Sequence, residues 1–316
     1  MSADSKLVVL AIGGNSLISD PAHQSVEDQY ATCAETCVHI AKLLEQGHRV
    51  VITHGNGPQV GFILRRSELA AHELHMVPLD SCGADTQGAV GYHIQRALHN
   101  CTKDWDNHPE VATIVTQVLV DREDPAFKNP SKPIGTFMDE ATAKQREERE
   151  SWHVVEDAGR GWRRVVSSPR PKSILELAAI RRLVEDGFVV VCVGGGGIPV
   201  VEREDGTLRG ADAVIDKDLA SSLLARNLSA DTLLISTAVE KAFLNFGKPD
   251  QRAIDTMTAA EAKKYLAEGH FKPGSMKPKI EAMLEFVEAG GKEAILTDPK
   301  NLMRAVGGET GTRIVP

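Results

Sequence analysis

The chain has 316 residues, of which 42% are hydrophobic, 25% charged and 4% aromatic, and its formal net charge is −8. This length allows one large or two ordinary domains, and the acidic balance argues against a nucleic-acid binder with a broad basic surface. Short apolar runs exclude a membrane helix, the first residues form no secretory signal, and five cysteines make no disulfide framework, so we expect a cytoplasmic protein without membrane partners.

Six apolar runs rich in β-branched residues are short enough to be buried parallel strands. They are residues 6–12, 49–53, 111–120, 188–193, 232–237 and 293–297. Helical periodicity lies between them, at residues 26–44 (with Gly47 placed to cap the end), 59–74, 173–186, 213–228 and 279–288. This alternation predicts a parallel α/β sheet with helices on both faces.

Residues 122–171 interrupt the alternation. They contain five prolines and a charge run at 144–150, with little apolar periodicity. The segment is either a loop-rich excursion or a small subdomain, and a solvated surface insertion is the favoured interpretation for most of it.

Three predicted strands run directly into glycine-rich sequence. The loops begin Gly13-Gly14-Asn15, Gly55-Asn56-Gly57 and Gly194-Gly195-Gly196-Gly197. In an open parallel sheet ligands bind at the carboxyl ends of strands, where glycine lets backbone N–H groups approach an anion. Tight turns alone explain any one loop, whereas three together favour a site for a small anionic substrate or a phosphate chain.

Familiar catalytic patterns are absent from the sequence. It contains no GxxxxGK[ST], GxGxxG, GxSxG or HExxH, so a P-loop enzyme, a dinucleotide-dependent dehydrogenase and an α/β-hydrolase are poorly supported. Lysines in unusual settings are the alternative source of chemistry, because anionic reactants need cations that neutralise developing charge. Lys132 lies among prolines, Lys217 between two aspartates and Lys279 at a helix entrance, although each alone is more typical of a solvated surface lysine.

The ordered set of motifs resembles the carbamate kinases of the amino-acid kinase superfamily over essentially the whole chain. The motifs are AIGGNSL, HGNGPQVG, PLDSCGADTQGAVGY, VDREDPAFKNPSKPIGTF, RRVVSSPRP, VGGGGIPV, ADAVIDKDLAS, STAVEKAFLNFGKPDQ, GSMKPK and GETGT. The segment around Lys132 favours carbamate kinases over the superfamily at large.

The resemblance implies a three-layer αβα sandwich with a central, mainly parallel sheet and a small protruding lid subdomain. It implies one domain, 1–316, with a carbamate and carbamoyl phosphate lobe at 1–220, a lid at 122–171 and a nucleotide lobe at 221–316. The implied reaction is ATP plus carbamate to ADP plus carbamoyl phosphate with Mg²⁺, commonly run toward ATP in arginine fermentation. A homodimer is implied as well.

The resemblance also implies roles for individual residues. Gly13, Gly14 and Asn15 would cradle the phosphoryl group, and Gly55, Asn56 and Gly57 would hold the carbamoyl end. Lys132, Lys217 and Lys279 would neutralise charge, with Asp218 orienting the lysines and Asp216 assisting. The expected nucleotide contacts are Thr237, Val239, Lys241, Phe243, Asn245 and Met276, and no residue is assigned as a metal ligand.

Several alternatives stay open at this stage. Another kinase of the superfamily, acting on a carboxylate such as acetylglutamate, fits the N-terminal motifs, and so does a nucleotide-sensing homologue without catalysis. Lys277 stands where the family usually has glycine, so it is either a surface residue or an addition to the phosphate site. Cys33 and Cys37 share a helix face, and core packing is favoured for them over a metal pair.

Overall fold

The computed structural model describes residues 5–14, 17–18, 22–156, 159 and 161–316. Its strands, in chain order, are β1 (Leu7–Ile12), β2 (Arg49–His54), β3 (Val111–Thr113), β4 (Gln117–Val120), β5 (Lys132–Met138), β6 (His153–Glu156), β7 (Trp162–Val166), β8 (Pro171–Ile174), β9 (Val189–Val191), β10 (Ile198–Glu202), β11 (Leu208–Gly210), β12 (Thr232–Ser236), β13 (Ala242–Leu244), β14 (Arg252–Ile254), β15 (Thr256–Thr258), β16 (Glu293–Thr297) and β17 (Thr312–Val315). Its α-helices are α1 (Val26–Glu45), α2 (Gly57–Ala70), α3 (Leu79–Thr102), α4 (Glu140–Glu150), α5 (Leu177–Glu185), α6 (Lys217–Asn227), α7 (Ala259–Ala267), α8 (Met276–Glu288) and α9 (Leu302–Val306).

The central sheet has eight strands in the order β15-β17-β16-β12-β1-β2-β9-β3. Every neighbouring pair in it is parallel except β16 and β17. β1 lies at the middle, with Val8 opposite Thr232 on one side and Val50 on the other. Its carboxyl end, which leads into Gly13, is therefore flanked by the ends of β2 and β12.

All six residues of β1 are buried, and their side chains alternate between two cores. Val9 and Ala11 pack in a core that includes helices α5, α6, α7 and α8. Val8 and Leu10 pack in the opposite core, against α1, α3 and α9. The chain thus has helices on both faces of a mainly parallel sheet, and the predicted three-layer α/β fold is confirmed.

Local signals fix the first helix as predicted. Ser25 forms a capping box with Asp28, and Gly47 follows the helix in the left-handed region at φ 81°. Cys33 and Cys37 are fully buried free thiols on the inner face of α1, as core packing predicts. Among the described residues, no helix is both long and apolar enough to span a membrane.

Residues 122–171, which we name the lid segment, fold more fully than the sequence suggested. An antiparallel sheet, β5-β7-β6, is covered by α4, and β4 and β8 pair in a second sheet with β10 and β11. Ile134 and Val166 of this segment pack with Leu64 of α2 and Cys82 of α3. Of the two alternatives, a loop-rich excursion or a small subdomain, the segment forms a small subdomain, and most of its described residues remain exposed or half-buried at the surface.

Two predicted elements have the wrong extent. Residues 111–120 form two strands in different sheets, because the backbone at Thr116 bonds to the Gln87 side chain instead of continuing a ladder. Residues 173–186 begin as β8, and helix α5 starts only at Leu177.

The sequence did not predict helix α3. Its small residues blur the 3.6-residue apolar period, and one of them has a packing reason: a Cβ on Gly91 would lie 2.3 Å from the Thr113 side chain.

Candidate active site

The first two glycine loops lie side by side where β1 and β2 end. The Gly55 N–H donates to the Ile12 carbonyl at 3.0 Å, and a Cβ on Gly55 would lie 3.5 Å from the Gly14 nitrogen. Gly57 is the first residue of α2, so the second loop leads directly into the N-terminus of a helix. Asn15, the third residue predicted here, lies outside the described residues.

Asn56 is buried and its side chain does not cap α2. Its Nδ2 donates instead to Thr86 Oγ1 of α3 at 2.8 Å, and Thr86 Oγ1 in turn donates to the Gly83 carbonyl. The Asn56 side chain is thus oriented by α3.

His54 shapes the same turn without offering a base. Its Nδ1 lies 2.9 Å from the Gly55 carbonyl, and because a carbonyl can only accept, Nδ1 carries the proton. Burial, opposed in part by this hydrogen bond, lowers the pKa of His54 from 6.5 to about 4. The imidazole is therefore neutral near pH 7.

The third glycine loop reaches across to both the second loop and α6. Val193, which enters it, has φ 52° and is fully buried, a conformation that costs a β-branched residue about 1–3 kcal/mol. Gly195 has φ 67°, and a Cβ there would lie 2.2 Å from Asn56 Nδ2. A Cβ on Gly196 would lie 2.4 Å from the Ile215 carbonyl, just before α6.

Lys217, Asp218 and Lys279 form one buried network. Asp218 Oδ1 accepts from Lys217 Nζ at 2.5 Å, and its Oδ2 accepts from Lys279 Nζ at 2.8 Å. The Asp218 side chain is 5% exposed, and the two lysine side chains are 12% and 16% exposed. The structure thus brings together residues of α6 and α8 that are far apart in sequence, with Asp218 and Lys279 separated by 61 positions.

Burial and charge oppose each other in this network. Burial alone would raise the pKa of Asp218, but the charges of Lys217 and Lys279 outweigh it and hold that pKa well below its usual range. Burial lowers the pKa of Lys217 against the opposing charge of Asp218, whereas Asp218 overcomes burial and raises the pKa of Lys279. An anion that entered here would favour the charged form of both lysines.

Lys132 and Asp216 connect the lid segment to this network. Lys132 Nζ donates to Asp216 Oδ2 at 2.8 Å, and Asp216 Oδ1 caps α6 by accepting from the Asp218 N–H at 2.9 Å. The Lys132 side chain remains 36% exposed. Three lysines and two aspartates therefore meet at the start of α6, which leaves one net positive charge.

Lys277 takes no part in the cluster. Its side chain is 45% exposed and its Nζ lies 3.8 Å from Glu281 Oε1, one turn further along α8. Of the two lysines in this motif, Lys279 is the one that reaches the buried carboxylate.

A cavity of about 440 Å³ lies beyond the carboxyl end of β12 and beside the start of α8. It is lined by five of the six residues predicted to contact a nucleotide, namely Thr237, Val239, Phe243, Asn245 and Met276. Phe246 and Phe271 add aromatic surface, and Lys248 and Lys272 add positive charge. Such a lining, with apolar walls and cations, suits a purine and its phosphates.

Lys241 is placed elsewhere. It is not among the residues that line the cavity, and its Nζ pairs with Asp255 Oδ1 at 2.5 Å. Asn245 has φ 52° and spends its Nδ2 on Asp250 Oδ2 at 2.6 Å, so it shapes the loop that carries Phe243 and Phe246.

Sequence reasoning missed several residues that support the site. Thr53 Oγ1 lies 2.6 Å from Ser221 Oγ, which donates to the Lys217 carbonyl and so ties β2 to α6. Thr86 and Gln87 of α3 each hold a glycine loop. The only available signal was their position in the motif PLDSCGADTQGAVGY, where nothing marks them as polar residues that face inward.

Neither aspartate is free to serve as a metal ligand without giving up a lysine. Among the described residues, no group of three or more histidine, cysteine, aspartate and glutamate side chains could hold a metal ion.

Comparison with known proteins agrees with this geometry. The sequence profile of the amino acid kinase family matches residues 6–298. A carbamate kinase-like protein of Escherichia coli is 51% identical over 98% of this chain and 99% of its own length, and the carbamate kinase of Clostridium perfringens is 48% identical at the same coverage. The structure of carbamate kinase from Giardia lamblia bound to AMP-PNP is 42% identical, with a TM-score of 0.93 over 100% of this chain and 99% of that one.

The chain therefore belongs to the amino acid kinase family. Within that family its similarity is to the carbamate kinases, which are phosphotransferases. An N-acetylglutamate synthase from Neisseria gonorrhoeae, at 16% identity and a TM-score of 0.59, shares the fold alone.

Proposed function

We propose that the chain catalyses reversible phosphoryl transfer between ATP and carbamate, giving ADP and carbamoyl phosphate. The observation that carries this proposal is the cluster of Lys132, Lys217 and Lys279 around Asp216 and Asp218, next to two adjoining glycine loops. The cluster can neutralise two anions at once, and two unit charges 4 Å apart interact by about 4 kcal/mol at an effective dielectric of 20.

The chemistry needs charge neutralisation more than proton transfer. Carbamate is already an oxyanion, so its oxygen attacks the γ-phosphorus directly while the bond to the bridging oxygen of ADP breaks. His54, the imidazole closest in sequence to the loops, is buried, neutral and bonded to the Gly55 carbonyl. Its other nitrogen, Nε2, is a weak proton acceptor because the pKa is only about 4, and it packs against Gly194, which supports a mechanism without a general base.

Each part of the site then has a proposed role. The N–H groups of Gly13 and Gly14 cradle the transferred phosphoryl group, and Asn56 with its flanking glycines holds the carbamoyl end. Lys217 and Lys279 neutralise the phosphoryl and bridging oxygens, Asp218 orients both lysines, and Lys132 covers the substrate from the lid segment.

The nucleotide is proposed to lie in the cavity beside Val239, Phe243 and Met276, with its phosphates toward α6 and α8. We place Mg²⁺ on the nucleotide phosphates, where it would add positive charge. Asn15 and Lys241 keep their predicted roles only as predictions.

The wider setting is also proposed. The resemblance supports operation toward ATP synthesis, a homodimer and a division into a carbamate lobe at 1–220, a lid at 122–171 and a nucleotide lobe at 221–316. The cytoplasmic location stays a prediction. Light scattering during size-exclusion chromatography tests the dimer directly.

The activity is tested by incubating the purified chain with ADP, carbamoyl phosphate and Mg²⁺ and measuring ATP with luciferase. We expect ATP formation that stops when EDTA removes the metal, and the Lys217→Ala variant, prepared identically, controls for contaminating kinases. In the forward direction, ADP release with carbamate is compared with release with acetylglutamate. Failure of the wild-type protein to make ATP would falsify the proposal, and release with acetylglutamate alone would replace the substrate.

A further inference from the structure

Two consecutive residues of α3 hold two different glycine loops. Thr86 Oγ1 accepts from Asn56 Nδ2 of the second loop at 2.8 Å, and Gln87 Nε2 donates to the Gly194 carbonyl of the third loop at 3.0 Å. Both side chains are 1% exposed. One turn of α3 thus holds both loops at a fixed spacing.

The Gln87 amide is satisfied on both sides. Its Nε2 also donates to the Thr116 carbonyl at 3.1 Å, and its Oε1 accepts from the Thr116 N–H at 2.7 Å. Thr116 Oγ1 accepts from the Val193 N–H at 3.0 Å and donates to the Ile114 carbonyl at 2.7 Å. Gln87 and Thr116 together therefore bind the N–H of Val193 and the carbonyl of the next residue, Gly194.

Val193 needs such a constraint. Its left-handed backbone, at φ 52° and ψ 32°, is one that a free β-branched residue avoids. The consequence reaches the substrate loops, because a Cβ on Gly194 would lie 2.3 Å from His54 Nε2 and one on Gly195 would lie 2.2 Å from Asn56 Nδ2. If the loop relaxed, Asn56 and His54 would lose the surface they pack against.

We infer that Gln87 is a positioning residue for the carbamoyl end of the substrate: it locks the strained third loop, which buttresses Asn56. This inference rests on the proposed function and adds a residue that acts through Gly194 and Thr116 without touching substrate. Because the nucleotide cavity is lined by other elements, the effect should be confined to the carbamoyl side.

The test uses Gln87→Met, which keeps the shape of the side chain and removes all three hydrogen bonds. We expect the KM for carbamoyl phosphate to rise about tenfold or more while the KM for ADP changes less than about twofold. Hydrogen exchange of the peptide covering residues 193–197 should also become faster, and this second readout does not depend on activity.

The matched control is Gln95→Met, two turns further along α3. Gln95 makes the same kind of bridge to the neighbouring strand, through Nε2 to the Val111 carbonyl at 3.0 Å and Oε1 from Thr113 Oγ1 at 2.7 Å, but it holds no glycine loop. We expect this variant to be destabilised without any change in either KM. If Gln87→Met does not fold, Thr116→Val, which removes the acceptor of the Val193 N–H, should show the same separation.

The outcomes separate this inference from the proposed function. A wild-type protein that makes no ATP contradicts the proposed function. An unchanged rate of hydrogen exchange at residues 193–197 in Gln87→Met shows that the Gln87 hydrogen bonds do not hold the third glycine loop. If the wild type is active but Gln87→Met leaves the KM for carbamoyl phosphate unaltered, or raises the KM for carbamoyl phosphate and that for ADP equally, the inference is overturned.

Discussion

Asp218 is an expensive residue to bury, and its surroundings explain why it is there. A carboxylate removed from water loses hydration energy that ion pairs recover only with good geometry, so buried ion pairs are weak evidence for stability. Asp218 has two lysine partners at 2.5 and 2.8 Å. The burial of Asp218 is therefore better explained by a role in positioning two cations for an anionic ligand than by a contribution to the stability of the fold.

The two neighbouring lysines of α8 allow this view to be tested at the residue scale. Lys279 contacts Asp218 and is 16% exposed, whereas Lys277 is 45% exposed and faces Glu281. We expect Lys279→Ala to lower kcat/KM for ATP formation by about 10²-fold or more, because a cation at the transferred group is lost. Lys277→Ala is the matched control and should stay within about twofold, as measured by the luciferase assay. Equal losses in both variants would contradict the assignment.

At the scale of elements, the lid segment presents a single lysine to the start of α6. Lys132 begins β5 and reaches Asp216, 84 residues further along the chain, at 2.8 Å. Closing this strand over carbamoyl phosphate would exclude water and bring positive charge to the reacting group.

We therefore expect Lys132→Ala to reduce kcat severely, by about 10²-fold or more, while the Kd for ADP remains within about twofold of wild type. The nucleotide cavity contains no residue of the lid segment, so ADP binding should not sense the change. Steady-state kinetics and isothermal titration calorimetry give the two numbers. Near-normal turnover would remove Lys132 from the mechanism.

Asp216 has both a structural and a functional contact. A comparison with the capping residue of another helix distinguishes the effects of these two contacts. It caps α6 and also holds Lys132, while Thr258 caps α7 through a capping box with Glu261 and is not among the residues that line the nucleotide cavity. Asp216→Ala and Thr258→Ala should each lower the free energy of unfolding by about 1 kcal/mol in urea titrations. Only Asp216→Ala should also lower kcat/KM for carbamoyl phosphate, and an equal loss in Thr258→Ala would show that capping alone is responsible.

The elements that could be predicted are those whose signal is local. The strand before Gly13 is a continuous apolar run, and α1 carries both a capping serine and a terminal glycine, so their positions followed from sequence. Helix α3 and the sheet of the lid segment could not be predicted. The small residues of α3 pack against a strand, and only a few residues of the lid segment, such as Ile134 and Val166, are buried against helices, so neither leaves a periodic apolar pattern.

The candidate site shows the same division. Glycines after strands and lysines beside aspartates are visible in the sequence, and the resemblance orders them. Asp218 binds two lysines and Asp216 binds the third, and this division depends on how α6, α8 and the lid segment pack. The hydrogen bond between Gln87 and Thr116 likewise depends on tertiary packing. The substrate roles of the individual residues remain predictions.

At the scale of the whole molecule, the buried His54 makes stability depend on pH. Its pKa is lowered by burial from 6.5 to about 4, so between these values the unfolded chain binds a proton that the folded chain does not. Stability from this residue is fully present above pH 6.5 and is lost as the pH falls toward 4. At pH 5 the loss amounts to about 2 kcal/mol.

The test compares unfolding in urea at pH 7.5 and pH 5.0 for wild type and His54→Asn. Asparagine retains an N–H near the Gly55 carbonyl but has no group that titrates, so we expect its free energy of unfolding to fall by about 2 kcal/mol less than that of wild type between the two pH values. His39 and His93, whose pKa values burial also lowers, contribute equally to both proteins and cancel in this difference. His72→Asn, at an exposed imidazole, should retain the wild-type pH dependence. If His54→Asn also retains the wild-type pH dependence of the free energy of unfolding, the buried imidazole is not the group that couples folding to pH. In that case His54 would have to be reconsidered as a proton acceptor at the second glycine loop.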